Sequence, residues 1–158
     1  MDTRKKVVGE ITLENKVDIT DPCYDKDVWC RTTQKCSPGT YKCIVELGDC
    51  DSWGERVFSI AITNGRPEPD ELEYVAEIGV DAGLAGFFPD KKDYNDKEWE
   101  EFCDKTRDGH YWLIDGGFVS SSGYGDGGYE VFGGKNDKGE YDYLKIVFID
   151  KNHEDEED

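Results

Sequence analysis

The residues best suited to chemistry in this sequence lie in one glycine-rich stretch, Gly116–Gly134, which reads GGFVSSSGYGDGGYEVFGG. It places the carboxylate of Asp126 between glycines and adds the hydroxyl groups of Ser122, Tyr124 and Tyr129. Glycine adopts left-handed backbone angles at little cost, and a glycine-rich turn exposes main-chain N–H groups. The pattern predicts a polar-ligand site, although a long hairpin turn with solvated side chains would use the same residues.

Two further aspartates stand at similar points of the chain. Asp21 precedes Pro22, and Asp81 follows the apolar run Tyr74–Val80 and opens a segment of small residues. Each carboxylate has an alternative role as the stabiliser of a turn. Because each lies at a strand end or a glycine turn, Asp21, Asp81 and Asp126 can converge on one rim, where grouped carboxylates suit Mg²⁺ or Ca²⁺. With a bound metal such a rim would activate water for hydrolysis of a phosphate or ester.

The charge of the chain restricts its partners. Its 37 acidic and 19 basic residues give a formal net charge of −18. This balance argues against direct nucleic-acid binding through phosphate neutralisation and against binding to an anionic membrane surface. It suits cation binding, or imitation of a nucleic acid's charge in the groove of a nucleic-acid-binding enzyme. The expected partner is a small polar ligand or a basic protein.

The lack of a recognisable targeting segment and the pattern of cysteines both lead us to expect a cytoplasmic protein. No stretch approaches the ~20 apolar residues of a membrane helix, and the N-terminus never develops the apolar region of a secretion signal. The sequence holds six cysteines and no Cys-x-x-Cys pair. Reduced thiols are therefore expected, several of them as small core residues, and a zinc site would need unusually spaced ligands.

Short apolar runs with alternating polarity predict a mainly β fold. Residues 41–47 and 57–63 predict an antiparallel hairpin, and Asn136–Gly139 predicts the turn into a central strand, Tyr141–Ile149. About eight strands and one helix indicate an antiparallel β-sandwich or barrel-like sheet with one covering α-helix over residues 95–106. We expect a single globular domain over residues 1–150 and an acidic, disordered tail over residues 151–158.

The predicted helix has clear local signals. Asn95 is an N-cap residue with Glu98 three positions on, the spacing of a capping box. Apolar and small side chains then recur at helical spacing on one stripe, which comprises Trp99, Phe102, Cys103 and Thr106. We expect this stripe to face the protein core.

Three segments together resemble a known group of sequences. They are Asp21-Pro22-Cys23-Tyr24, then Val80 to Phe87 (VDAGLAGF), then Ser120 to Tyr129 (SSSGYGDGGY). In this order they resemble an uncharacterised family of proteins from bacteria and their phages, with DPCY, VDxGxAGFF and SSSGYGDGGY motifs. The resemblance implies a bacterial or phage cytoplasmic setting. It carries no established activity, and it contains the same three aspartates.

Three hypotheses for function follow from these observations. The first is a polar-ligand or divalent-metal site at the glycine-rich loop, with a metal-dependent hydrolase as its catalytic form. The second is an acidic interaction or inhibitor protein that binds a basic partner, with binding that weakens steeply with salt. The third is a small-molecule binder without chemistry that uses Tyr124 and Tyr129 as a pocket wall.

Overall fold

A computed structural model describes residues 3–23, 31–49, 54–91, 93–123 and 125–149. Within these ranges the chain forms eleven strands and one helix, which confirms the mainly β class. The elements are β1 Thr3–Leu13, β2 Lys16–Thr20, β3 Thr32–Lys35, β4 Gly39–Asp49, β5 Glu55–Thr63, β6 Glu73–Val80, β7 Leu84–Phe88, α1 Asp96–Lys105, β8 Tyr111–Ile114, β9 Gly117–Ser121, β10 Gly127–Lys135 and β11 Tyr141–Val147. The predicted tail over residues 151–158 lies outside the described residues.

The strands form two antiparallel sheets packed as a sandwich. The six-stranded sheet has the order β1-β4-β5-β11-β10-β6, and the five-stranded sheet has the order β3-β2-β7-β9-β8. Neither closes into a barrel among the described strands, so of the two predicted architectures the sandwich is confirmed. The predicted hairpins are present as the pairs β4–β5 and β10–β11, and β11 lies inside its sheet between β5 and β10.

The core lies between the sheets and follows the alternation of the strands. In β4 the residues of one face are fully or almost fully buried, and they are Tyr41, Cys43, Val45 and Leu47. Opposite it, the five-stranded sheet contributes Val17, Ile19, Phe87 and Phe118 to the same cluster. Cys36 and Cys43 are buried free thiols in this core, as expected for small apolar residues, whereas Cys30 and Cys50 lie outside the described residues.

Helix α1 begins where the capping signals predict. The Asn95 side chain accepts from the Glu98 main-chain N–H at 2.8 Å, and Glu98 accepts from the Asn95 N–H at 3.2 Å. The helix covers the outer face of the five-stranded sheet, where Phe102 packs with Phe88 and Val119 in a second apolar cluster. Cys103, which the predicted stripe assigned to the core, is exposed, because Phe102 is the helix residue that reaches the sheet.

The glycine-rich stretch connects the two sheets. Strand β9 before it belongs to the five-stranded sheet, and β10 after it belongs to the six-stranded sheet. The hairpin alternative for this stretch is therefore wrong, because its flanking strands do not pair with each other. Strands β6 and β7 also lie in different sheets, so the turn at residues 81–83 is a second crossover of the same kind.

Candidate functional site

The three sequence motifs meet at the end of the sandwich where these two crossovers lie side by side. The Ser122 main-chain N–H donates to the Gly83 carbonyl oxygen at 3.0 Å, and Gly127 pairs with Val80 at the start of β10. Asp21 reaches the turn at residues 81–83 from the end of β2. We call this junction the motif rim, and it comprises Asp21, residues 81–83, 122–123 and 125–129. The structure thus brings together Asp21, Asp81, Ser122, Asp126 and Tyr129, whereas Tyr124 lies outside the described residues.

Asp21 is the buried anchor of the motif rim. Its side chain is fully buried, and its Oδ1 accepts from the Cys23 main-chain N–H at 2.8 Å. Its Oδ2 accepts from the main-chain N–H groups of Asp81 and Ala82, at 2.8 and 2.7 Å. Three main-chain N–H groups satisfy the oxygens of this buried carboxylate, and these bonds fix the turns that supply the donors. Asp21 is therefore a turn-stabilising carboxylate, the alternative that the sequence left open.

Ser122 and Tyr129 fix the glycine-rich turn in the same way. Ser122 Oγ donates to the Gly125 carbonyl oxygen at 2.7 Å, and the Tyr129 hydroxyl lies 2.6 Å from that oxygen and 3.0 Å from the Ser122 carbonyl. The Tyr129 ring packs edge-on against Phe148, with 5.2 Å between centroids. Burial raises the pKa of Tyr129, so its hydroxyl remains a donor at neutral pH. These hydroxyl groups hold the turn instead of facing a ligand.

Asp81 and Asp126 are the predicted site residues that face solvent. Both are exposed, and neither carboxylate has a hydrogen bond or an ion pair with any other residue that the structure describes. They lie near each other, since Asp81 begins the turn that contains Gly83, and a side-chain carbon on Gly83 would lie 4.0 Å from Asp126 Oδ1. The motif rim thus presents two carboxylates on turns that main-chain hydrogen bonds hold in place.

The structure does not assemble Asp21, Asp81 and Asp126 into the predicted metal-ligand group. In the described ranges no three His, Cys, Asp or Glu side chains are placed to hold a metal ion. The physical reason is the role of Asp21, whose two oxygens already accept main-chain N–H groups inside the fold. The aspartates converge on one rim, but one of them faces inward and two face outward.

Acidic residues extend from the motif rim along the neighbouring strands. Glu77 of β6, an edge strand, lies directly across from Glu130 of β10, and both are exposed. No basic side chain in the described part of the chain forms an ion pair with either glutamate or with Asp81 and Asp126. We call these four carboxylates the acidic edge. Sequence reasoning missed Glu77 and Glu130, because only the strand register places them opposite each other.

Comparison with known proteins adds no relative, since no family model, curated protein or solved structure matches the chain. The resemblance of the three motifs to bacterial and phage sequences therefore stays a prediction. In the part of the chain that the structure describes, no helix is long and apolar enough to cross a membrane.

Proposed function

We propose that this protein is a non-catalytic binding protein whose acidic edge engages a positively charged partner. The observation that carries the proposal is the group of Glu77, Asp81, Asp126 and Glu130, four exposed carboxylates without basic partners among the described residues. A basic protein surface supplies the complementary charge. The net charge of −18 favours fast, electrostatically steered association with such a surface.

The geometry favours binding over catalysis because the motif side chains are already engaged with the main chain. Asp21, Ser122 and Tyr129 bond to main-chain atoms of the motif rim. A general base, a nucleophile or a metal ligand would need its reactive atom directed at a substrate. What these contacts supply instead is a fixed support, which lowers the entropy cost of binding for the carboxylates that it presents.

The like-charge pair in the acidic edge predicts a measurable cost in stability. Directly opposed like charges on neighbouring strands destabilise a sheet, with cross-strand pairs contributing roughly 0.2–1 kcal/mol. We therefore expect Glu77→Gln to raise the free energy of unfolding by a few tenths of a kcal/mol at low salt, and by less at high salt. Urea unfolding at the two salt concentrations measures this. Glu100→Gln on the exposed face of α1 is the control, and an equal gain there would contradict a local repulsion.

The proposal is tested by equilibrium binding of a short lysine-rich peptide to the full chain. Wild type is compared with Asp81→Asn/Asp126→Asn and with Glu100→Gln/Glu101→Gln, which removes the same charge from exposed positions on α1. We expect the first variant to bind about tenfold more weakly than wild type, as loss of two surface charge contacts implies. The control is expected to bind nearly as wild type does. Equal losses in both variants would show that net charge alone attracts the peptide and would overturn the proposal.

A further inference from the structure

A cavity of about 250 Å³ lies on the opposite side of the five-stranded sheet from the core, beside the start of α1. Its volume is just below the ~300 Å³ at which small-molecule sites usually begin, so it suits a small ligand. It is separate from the motif rim and shares none of its residues. The lining residues are Phe88, Asp90, Lys91, Tyr94, Glu98 and Asp115.

The inner part of this cavity carries a buried lysine. Lys91 is only 2% exposed, and its Nζ lies 3.8 Å from the centroid of the Tyr94 ring. Its main-chain N–H donates to Oδ2 of the buried Asp18 at 2.8 Å, and Asp18 also pairs with Arg31 at 3.3 Å. Lysine side chains are almost never fully buried unless their charge has a partner, and the faces of the Tyr94 and Phe88 rings lie within 3.8 and 5.8 Å of the Lys91 ammonium. The fold therefore holds a positive charge at the floor of the cavity.

The mouth of the cavity carries the opposite charge. Asp90, Glu98 and Asp115 are all exposed, and each has one oxygen engaged by the protein. Their contacts are Lys16 Nζ at 3.4 Å for Asp90 Oδ1, the Asn95 N–H at 3.2 Å for Glu98 Oε1, and the Tyr94 hydroxyl for Asp115 Oδ2. The second oxygen of each carboxylate has no hydrogen bond within the described residues and can accept one from a ligand.

We propose that this cavity binds a small zwitterion of the size of a free α-amino acid. The ligand's carboxylate would bind Lys91 at the floor, and its ammonium group would bind the carboxylates of Asp90, Glu98 and Asp115 at the mouth. An ammonium has three N–H donors, so a ligand carboxylate can join the contacts that Lys91 already makes. A simple anion would have to pass the three mouth carboxylates, and a simple cation would meet the Lys91 charge, so a ligand with both charges fits best.

Thermal unfolding of the full chain with each common amino acid tests this site. We expect at least one amino acid to raise the melting temperature, because a ligand that binds only the folded state stabilises it. Its amine counterpart without the carboxylate and its acid counterpart without the amine are expected to bind about tenfold more weakly, the effect of losing one charge-assisted contact. No rise with any amino acid, or equal binding of either counterpart, would overturn the proposal.

Variants at the mouth locate the binding without disturbing the fold. Asp115→Asn retains an acceptor for the Tyr94 hydroxyl and tolerates the left-handed φ of 53° at this position. Glu98→Gln retains the capping box. Each variant is expected to weaken binding of the amino acid about tenfold. Asp137→Asn in the β10–β11 turn is expected to leave binding unchanged. Lys91→Met replaces a buried residue, so it would change stability as well as binding. The variants at the mouth are therefore the ones that test the site. Equal losses of amino-acid binding in Asp115→Asn and Asp137→Asn would contradict binding in this cavity.

Discussion

Replacing Asp21 with alanine is expected to lower the free energy of unfolding by about 3 kcal/mol or more. The substitution removes a buried carboxylate that accepts three main-chain N–H groups, those of Cys23, Asp81 and Ala82. Each buried donor left without a partner costs about 1–3 kcal/mol. Asp21→Asn is expected to cost less, since its amide oxygen still serves the Asp81 and Ala82 donors that share Oδ2.

Urea unfolding of the two variants and of Asp126→Ala measures this effect. Asp126 belongs to the same motif rim but is exposed, so its replacement is expected to change the free energy of unfolding by no more than about 0.5 kcal/mol. The difference in the free energy of unfolding distinguishes Asp21, which stabilises the fold, from Asp126, which faces solvent. If Asp21→Ala and Asp126→Ala cost equally little, the hydrogen bonds of Asp21 do not stabilise the turn at residues 81–83.

Gly86→Ala is expected to destabilise the fold by about 3 kcal/mol, the upper end of the usual cost of overpacking. Strand β7 packs so closely on β9 that a Cβ on Gly86 would overlap the Phe118 carbonyl oxygen and lie 2.9 Å from Val119 Cα. Both are main-chain atoms of a central strand pair and cannot rotate away. In the sequence Gly86 belongs to the segment of small residues that Asp81 opens.

The matched control is Gly128→Ala, which changes a glycine of β10. Its added Cβ would meet the Glu77 carboxylate at 3.3 Å, and that flexible side chain can move aside. Its expected cost is less than ~1 kcal/mol, within the range of strand propensities. Chemical unfolding measures both variants, and a smaller loss for Gly86→Ala than for Gly128→Ala would contradict the packing between β7 and β9.

The elements that local chemistry determines could be predicted from the sequence. Helix α1 begins at Asn95 because its capping box requires only residues three positions apart. The inward face of β4 follows from simple alternation, and the hairpins follow from turn residues. The convergence of three motifs was also predictable in outline, since each lies at the end of a strand.

The features that could not be predicted from the sequence depend on which strands become neighbours in the fold. The crossing of the glycine-rich stretch between sheets, and the pairing of Glu77 with Glu130, follow from long-range register alone. The direction in which Asp21 points depends on the main chain of residues 81 and 82, sixty positions away along the chain. The burial of Lys91 likewise depends on the tertiary fold, which places it in the cavity beside the start of α1.

The most direct test of the acidic edge as a binding surface is the association rate of the lysine-rich peptide as a function of ionic strength. Charges at a binding surface act mainly on this rate and its salt dependence. We expect the association rate to decrease steeply with salt for wild type and for Glu100→Gln/Glu101→Gln, and clearly less steeply for Asp81→Asn/Asp126→Asn. The same slope for both variants would contradict it, because the peptide would then respond to net charge and not to the acidic edge.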